Sequence, residues 1–517
     1  MSTASRVAKN TGYLYAKMGI TMFISLYTTR LVLNSLGDVD FGIFNIVGGA
    51  IAMLGFLNAA MAGATQRFMS YSEGEGNKEK QKQIFNISIV LHTAISILVG
   101  VVLLVAGYFF FHGILNIPPD RLFAAKVVYG SLIVSTMFTV MSVPYDAMLN
   151  AHENMRYYAI VGIIESLLKL AVAFAVVYTF SDKLIVYGVL MAVIPLITLT
   201  IMRVYCHRRY KECIWAPRRY FDHGLMRGMT GFSGWNFVST TLAMVGYYGQ
   251  GVVLNYFFGP LLNAAHGIVT QLNGQLLVLS NNMLKALNPV IVKNEGAKNR
   301  HKMLDISLFG NKLSFFLLLF PAIPFMIEAP VILKWWFKNV PEWTVLFLYL
   351  CLTKAIIEQL FVTLYTTVLA QGNIKGLTIN NGLLYIISLI FSAIMFSAGF
   401  SPVWLYISSI IFIAIGTGIS RLYYCNKLCG LPIKTFISGV IVRSVLLFTV
   451  VFGISYGIKL IIPYSDIWRF LCVLFASTLS LLLGGYTILL NKTEKEMMRN
   501  AITGLKNRYI LKKNLNR

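Results

Sequence analysis

Charged residues are scarce in this 517-residue sequence. Asp, Glu, Lys and Arg make up 12% of it, whereas 57% of the residues are hydrophobic and the mean hydropathy is +0.69. Water-soluble domains cannot bury that much apolar surface, so the composition excludes a soluble protein. Most apolar runs are about 20 to 28 residues long, enough for a helix to cross the hydrocarbon core, and the alternating segments of a membrane barrel are absent. The sequence therefore predicts an all-α integral membrane protein.

Acidic residues are rarer still, with 20 Asp and Glu against 44 Lys and Arg and a formal net charge of +24. Such an excess is also typical of nucleic-acid-binding proteins, but about 30 of the basic residues fall in alternate connections, on the side that holds both termini. The opposite side has only Arg121, Lys183, Lys334 and Lys338. By the positive-inside rule both termini are predicted to be cytoplasmic, in a bacterial inner membrane, with membrane lipids and not nucleic acid as partners.

Cysteines are few, and the motifs of common enzymes are missing. The six cysteines lie in apolar segments or basic connections, where disulfides are not expected. Cys425 and Cys429 have the spacing of half a metal site, but no second pair accompanies them, so we predict ordinary thiols and no metal. The sequence lacks a Walker A loop, a zincin helix, a nucleophile elbow and a kinase signature. The connection 331–343 is too short for a catalytic domain, so we expect a transporter that needs no cofactor.

The apolar runs predict about fourteen transmembrane helices in a plan of six, six and two. Several contain proline or crowded glycines, which suggests helices that bend around an interior space. The expected spans are 10–36, 41–69, 84–112, 121–148, 157–180 and 184–206, then 228–257, 261–290, 304–329, 344–370, 376–400 and 403–424, and finally 435–461 and 467–490.

The two sets of six helices are related by an internal duplication. Thr11-Gly12-Tyr13 returns as Thr230-Gly231-Phe232, and Val32-Leu33-Asn34 returns as Val253-Leu254-Asn255, both displaced by about 220 residues. A duplicated unit of half the chain is typical of transporters built from two similar bundles. The predicted domains are 1–206 for the first bundle, 207–227 for a basic linker, 228–424 for the second bundle, 425–490 for an extra helix pair and 491–517 for a basic tail.

The linker 207–227 has two interpretations: a topology anchor that contacts anionic lipid, or a gate and substrate-access surface.

Several basic residues fall inside the predicted spans, where each costs roughly 2.5 to 3.5 kcal/mol at mid-helix. Lys169 and Lys354 have acids one helical turn away, Glu165 and Glu358. These acids are either counter-ions for the lysines or ion-coupling groups that exchange a proton or a cation during transport.

Lys17, Arg30 and Lys312 have no acid within one turn. The duplication predicts a central cleft, and we expect these cations to face it and bind an anionic ligand. Arg30 suits a phosphate or pyrophosphate through its planar fork of donors, although a position near the helix end also suits an interfacial anchor. The predicted substrate-binding residues are thus Lys17, Arg30, Lys169, Lys312 and Lys354.

Three stretches resemble a known family. They are Arg30-Leu31-Val32-Leu33-Asn34-Ser35-Leu36-Gly37, the following Asp40-Phe41-Gly42-Ile43-Phe44-Asn45, and Pro144-Tyr145-Asp146-Ala147 at the end of predicted helix 4. With the plan of six, six and two helices, the chain resembles the Wzx-type polysaccharide flippases of the multidrug, oligosaccharidyl-lipid and polysaccharide exporter superfamily.

The resemblance implies transport of an undecaprenyl-pyrophosphate-linked oligosaccharide, such as an O-antigen unit, to the periplasmic leaflet. The expected mechanism is ion-coupled alternating access, and glycan-assembly proteins are a further class of partner. A cation-coupled multidrug antiporter of the same superfamily and a membrane glycan polymerase or ligase are the alternatives. The basic excess within the spans argues against the antiporter, and the short loops argue against the enzyme.

Overall fold

The computed structural model describes residues 3–52, 55–114, 117–336, 340–462 and 467–496. Residues 497–517 of the predicted basic tail lie outside the described residues. Fourteen long helices fill this part of the chain: α1 Thr3–Ala52, α2 Gly55–Glu75, α3 Lys78–His112, α4 Pro119–Ala151, α5 Met155–Tyr178, α6 Lys183–Arg209, α7 His223–Leu276, α8 Val278–Gly296, α9 Arg300–Trp336, α10 Thr344–Gln371, α11 Lys375–Ser397, α12 Trp404–Cys429, α13 Ile433–Ile461 and α14 Ile467–Leu489.

The predicted fold class is confirmed. The described residues contain no β-strand, and eleven of the helices, all but α1, α2 and α8, are long and apolar enough to cross a membrane. Most helices extend beyond their predicted ends: α3 begins at Lys78, where the Asn77 side chain accepts a hydrogen bond from the Lys80 N–H. Hydropathy detects only the apolar part of a helix, whereas capping side chains let it continue into the interface.

A glycine interrupts α1 and α7 at points that correspond in the predicted duplication. Gly37 has φ 77° and ψ 170°, and Gly259 has φ 78° and ψ −175°. A positive φ with an extended ψ is a conformation that only glycine adopts readily, so both positions require glycine. Each break falls between two predicted helices, and the two breaks are 222 residues apart by their numbers. The two breaks thus share one backbone geometry, and the duplication stays a prediction.

Contacts group the chain into two compact units, residues 10–237 and residues 238–517 together with 1–9. In the first unit, Arg121 at the start of α4 joins two other elements. Its guanidinium forms a bidentate pair with Asp40, just beyond the Gly37 break, and donates to Asp182 at 2.8 Å. Asp182 in turn caps the first turn of α6 by accepting from the N–H groups of Leu184 and Ile185. Arg121, which was counted as a connection residue, therefore links the start of α4 to α1 and to the start of α6.

The predicted linker is ordered where it follows α6. Asn86 of α3 holds it by donating to the Ile214 carbonyl and accepting from the Ala216 N–H, at 2.8 and 2.9 Å. Glu212 is buried there and accepts from His152 Nε2 at 2.6 Å and from Lys78 Nζ at 3.2 Å. Burial opposes its ionisation, but these hydrogen bonds and charges outweigh burial and lower the pKa of Glu212 to about 2.

Glu212→Gln is expected to lower the free energy of unfolding by about 2 to 3 kcal/mol at neutral pH. A carboxylate with a depressed pKa stabilises the folded state above its unfolded pKa of 4.5 and loses that effect as the pH falls toward 2. Thermal unfolding of both proteins between pH 7 and 3 measures this. A difference in stability that stays constant across that range would contradict the assignment.

In the second unit, side chains from neighbouring helices satisfy the broken backbones of α9 and α10. The carboxamide oxygen of Asn311 on α9 accepts from the Thr363 N–H, at the break in α10, at 2.9 Å. Near Pro330, where Glu328 has non-helical φ and ψ, the Ile327 carbonyl accepts from Lys459 Nζ at 2.7 Å. In lipid a freed backbone group must find such a partner, so these breaks are built into the fold.

The extra pair α13 and α14 is attached to α9 through buried ion pairs at two levels. Arg469 of α14 donates to Glu328 at 2.6 Å, and Lys312 donates to both oxygens of Glu494, just after α14, at 2.8 Å. Lys312 and Glu328 are 16 residues apart, or about 24 Å along an α-helix. Arg469 is buried within the membrane-length helix α14, and Glu328 compensates its charge.

Candidate functional site

Lys17 of α1 lies against α5 in the unit 10–237. Its ammonium is 4.5 Å from the centre of the Tyr158 ring, a cation–π distance. The side chain passes over Gly162, where an added Cβ would lie 2.2 Å from Lys17 Cε and 2.5 Å from Nζ. Any larger residue at Gly162 would displace the lysine. The absence of a side chain at Gly162 therefore lets Lys17 of α1 lie against α5.

Two acids stand near the same tyrosine. Asp146 of α4 and Glu165 of α5 both act electrostatically on Tyr158. Glu165 accepts from Lys169 Nζ at 2.7 Å, which confirms the pairing suggested by their spacing, and both side chains of this pair are about two-fifths exposed. Lys17, Asp146, Tyr158, Glu165 and Lys169 thus form one polar cluster, called the α5 cluster below.

Arg30 lies seven residues before the Gly37 break and is exposed. Among the described residues its guanidinium has no hydrogen-bond acceptor or acidic partner. It does not share a contact with Lys17, which lies nearly four turns earlier on the same helix. Arg30 is therefore an available cation, separate from the α5 cluster.

A second cluster forms within the other unit, around Lys354 of α10. Lys354 Nζ is 3.6 Å from Glu358, so the second predicted pair is also present, and both side chains are partly exposed. Tyr385 of α11 interacts electrostatically with Lys354, Glu358 and Arg421. We call these residues, together with Tyr365, the α10 cluster.

Arg421 is the least satisfied member of the α10 cluster. It lies in α12, two turns before the helix ends at Cys429, with its guanidinium carbon 5.9 Å from the centre of the Tyr365 ring. Its Nε is buried and has no hydrogen-bond acceptor among the residues that the structure describes. A buried donor without a partner costs roughly 1 to 3 kcal/mol, so the site is suited to a ligand that supplies an acceptor.

Lys312 has a different environment from the one its sequence suggests. It is 3% exposed, and the Glu494 carboxylate at 2.8 Å neutralises its charge. The acid is remote in sequence, which is why no spacing rule could find it. Of the five cations predicted to bind substrate, the structure places Lys17 and Lys169 in the α5 cluster, Lys354 in the α10 cluster, Arg30 by itself, and Lys312 in an ion pair.

Sequence reasoning missed several members of the two clusters. Tyr158, Tyr365 and Tyr385 carry no signal that separates them from the many tyrosines of apolar helices. Arg421 lies near the end of the predicted span 403–424, where a basic residue resembles an interfacial anchor. Asp146 entered only as part of a family-like stretch, although an acid inside a predicted span is itself an indication of function.

The structure also brings together Glu73, His152 and Glu212, whose side-chain ligand atoms lie within 4.8 Å of one another. Lys78 Nζ contacts both carboxylates, at 2.9 and 3.2 Å. The lysine therefore supplies the positive charge that a cation would bring. We expected no metal site, and this group remained undetected because its three members come from three separate segments.

A family model and several solved structures resemble this chain. A family model described as polysaccharide biosynthesis protein matches residues 7–295. No curated protein matches the sequence significantly. Solved structures of MATE transporters match most of the chain.

Three of these structures indicate the range of the match. A MATE protein in the bent conformation has a TM-score of 0.70 at 13% identity, covering 83% of this chain and 98% of the other. An outward-facing multidrug resistance MATE transporter of the MOP superfamily gives 0.69 at 13%, with 83% and 97% covered. A MOP superfamily transporter from Pyrococcus furiosus gives 0.66 at 14%, with 84% and 99% covered. At these identities the likeness establishes a shared fold with two lobes.

Proposed function

This chain belongs to the family of polysaccharide biosynthesis proteins, and from that membership we propose that it is a flippase for lipid-linked glycans. Its substrate is an undecaprenyl-pyrophosphate-linked oligosaccharide, which it moves from the cytoplasmic to the periplasmic leaflet of the bacterial inner membrane. Both termini are cytoplasmic in this proposal, as the distribution of Lys and Arg predicts. The protein acts by alternating access and performs no covalent chemistry.

The observation that carries the proposal is Arg421, a guanidinium within a membrane-length helix whose buried Nε lacks an acceptor among the described residues. A cation in such a position is costly unless a ligand uses it. Pyrophosphate supplies several acceptor oxygens and the opposite charge, and arginine binds it through parallel N–H donors. Arg30, in the unit 10–237, is a separate exposed cation without a described partner, and it too suits an anionic group.

Ion coupling is assigned to the carboxylates of the two clusters. Glu165 and Glu358 each lie beside a lysine on a membrane-spanning helix. Glu358 is the better candidate because its 3.6 Å contact with Lys354 is looser than the 2.7 Å contact of Glu165 with Lys169. A loosely paired carboxylate leaves more room for a coupling ion to bind during a transport cycle.

A multidrug antiporter is the second candidate, and the fold favours it because several solved neighbours are MATE transporters. The Pyrococcus furiosus neighbour, however, is described as having a binding pocket of reversed polarity that suggests a different function. The fold alone therefore does not favour the antiporter over a flippase for an anionic substrate. The family match and the cations Arg30 and Arg421 favour an anionic substrate here.

Reconstitution of the purified protein into proteoliposomes tests the proposal. A fluorescent undecaprenyl-pyrophosphate-linked oligosaccharide in the inner leaflet should become accessible to an impermeant quencher outside, and a fluorescent phosphatidylcholine should remain protected. Expression of the protein should also restore surface glycan in a flippase-deficient strain. Export of a cationic dye by proteoliposomes that leave the lipid-linked oligosaccharide in place would favour the antiporter.

Glu358→Gln is expected to slow transport and to remove its dependence on pH or sodium, because the amide cannot titrate or bind a cation as a carboxylate does. Glu165→Gln should show a smaller defect. The measurement is the initial translocation rate over a series of pH values and sodium concentrations. If both variants follow the wild-type rate throughout the series, the two acids are only counter-ions for Lys354 and Lys169.

A further inference from the structure

Two adjoining cavities lie between the first turn of α5 and the last turns of α6. One has a volume of about 660 Å³ and includes Arg156 and Arg209 in its lining, and the other has a volume of about 510 Å³ and includes Arg208 and Arg209. They share Tyr157, Tyr205 and Arg209. All of these residues belong to the unit 10–237, and the α5 and α10 clusters include none of them.

The wall between the cavities is aromatic and fixed. The rings of Tyr157 and Tyr205 stack with their centres 3.5 Å apart and their planes 12° apart. The Asn154 side-chain amide donates to the hydroxyls of Tyr205 and Tyr210, at 2.8 and 3.0 Å. His152 stacks on Tyr210 at 4.1 Å, so these side chains form one continuous wall.

Glu212 of the linker 207–227 fixes His152, which is part of this wall. His152 contacts the buried Glu212 at 2.6 Å, and Glu212 ionises readily because its pKa is lowered to about 2. The imidazole is thus fixed by a carboxylate on one edge and by the Tyr210 ring on its face. Such a wall pays little conformational entropy when a ligand binds, which is the benefit of preorganisation.

The charge around the cavities is positive. Arg156, Arg208 and Arg209 are exposed, and none of them has an acidic partner within the described ranges. Glu153 also lines the larger cavity, but its side chain is only 8% exposed and already interacts with another residue of the protein. Three available guanidinium groups against one buried carboxylate leave a net positive field that attracts an anion.

The smaller cavity is apolar on its membrane side. Thr200, Ile201 and Val204 of α6 line it, and Val204 is 46% exposed. Ile160 of α5 lines the larger cavity and is 41% exposed. Exposed aliphatic side chains on membrane-spanning helices contact lipid tails. The three arginines therefore lie at the boundary between the apolar surface and the membrane interface.

We propose that these cavities bind an anionic phospholipid of the bilayer, such as phosphatidylglycerol. Its phosphate lies among Arg156, Arg208 and Arg209, and one acyl chain lies along Ile201 and Val204. Basic pockets between helices at the cytoplasmic interface bind anionic headgroups in this way. The site adjoins the linker 207–227, so the bound lipid holds α5, α6 and this linker together. This proposal stands whether or not the protein carries a glycan.

Titration of the purified full-length protein in detergent micelles tests the site, with bound dioleoylphosphatidylglycerol counted by native mass spectrometry. Wild type should bind it well above dioleoylphosphatidylcholine. The triple variant R156Q/R208Q/R209Q should lose on the order of a hundredfold in affinity, because each basic residue contributes about one kcal/mol near a lipid surface. The matched control R218Q/R219Q/R227Q removes the same charge from exposed residues that line neither cavity, and it should bind as wild type does.

Two further probes separate the sources of the phosphate. Val204→Asn keeps the arginines and should weaken binding several-fold, since the acyl chain loses apolar contact. Inorganic phosphate should not displace the lipid. Displacement by phosphate would show a site for a soluble anion, and undecaprenyl phosphate binding tenfold more tightly than phosphatidylglycerol would show a site for an isoprenoid lipid.

Equal loss in the triple variant and its matched control would also overturn the proposal, because it would reduce the effect to overall charge. If the triple variant does not elute as a single folded species, R156Q and R209Q are measured separately. Each is expected to lose about fivefold in affinity. Unchanged binding by both single variants would contradict the site.

Discussion

Arg421→Ala and Arg30→Ala are each expected to impair glycan export strongly while the protein remains inserted. Loss of a hydrogen bond to a charged group costs about 1.5 to 3 kcal/mol, which corresponds to roughly a tenfold to hundredfold loss of apparent affinity. Arg421 should show the larger effect, because its Nε is buried and the pyrophosphate would supply its missing acceptor. Surface glycan in a complemented flippase-deficient strain and translocation in proteoliposomes measure both variants.

Lysine replacements provide the matched controls, since they keep the charge and remove the planar fork of donors. Arg421→Lys and Arg30→Lys should restore export only in part. Membrane fractions must contain wild-type amounts of each variant for the comparison to hold. Normal export by a well-expressed Arg30→Ala would mean that Arg30 is an interfacial anchor, which is the alternative that its sequence position allows.

The largest effect on stability is expected for Arg469→Ala, which should lower the free energy of unfolding by about 3 to 5 kcal/mol. The substitution leaves Glu328 without its 2.6 Å ion pair although that residue is only 1% exposed. An uncompensated buried charge is far more costly than the loss of the pair itself. Five of the six free cysteines are buried, so the rate at which a thiol-reactive dye labels them during heating reports unfolding.

The double variant R469L/E328L separates the two contributions. Replacement of both charges by apolar groups of similar size should recover most of the stability, because no buried charge remains. The exposed pair offers a matched comparison, in which Lys169→Ala should cost no more than about 1 kcal/mol. If Arg469→Ala is as mild as Lys169→Ala, then solvent reaches Glu328 and the ion pair does not hold α14 against α9.

Short-range properties of the sequence predicted most of the fold. Apolar runs of membrane length located the helices, and the pairs Glu165–Lys169 and Glu358–Lys354 followed from one-turn spacing and are present. The duplication aligned two segments whose breaks, at Gly37 and Gly259, have nearly the same backbone conformation. These predictions succeed because hydropathy, helical periodicity and the conformational freedom of glycine depend on residues close together in the chain.

The environment of each charge was decided by tertiary structure. Lys312 is neutralised by Glu494, 182 residues away, and Arg469 by Glu328, 141 residues away. Arg421 joins the α10 cluster because the packing of α12 against α10 places its guanidinium near the Tyr365 ring.

The sequence by itself determined that the chain is an all-α membrane protein built of long apolar helices. Only the folded chain determined which cations are already paired and which are available to a ligand. The cost of a buried charge depends on whether an opposite charge or an acceptor lies within a few ångströms, and helix packing brings such partners from any part of the chain.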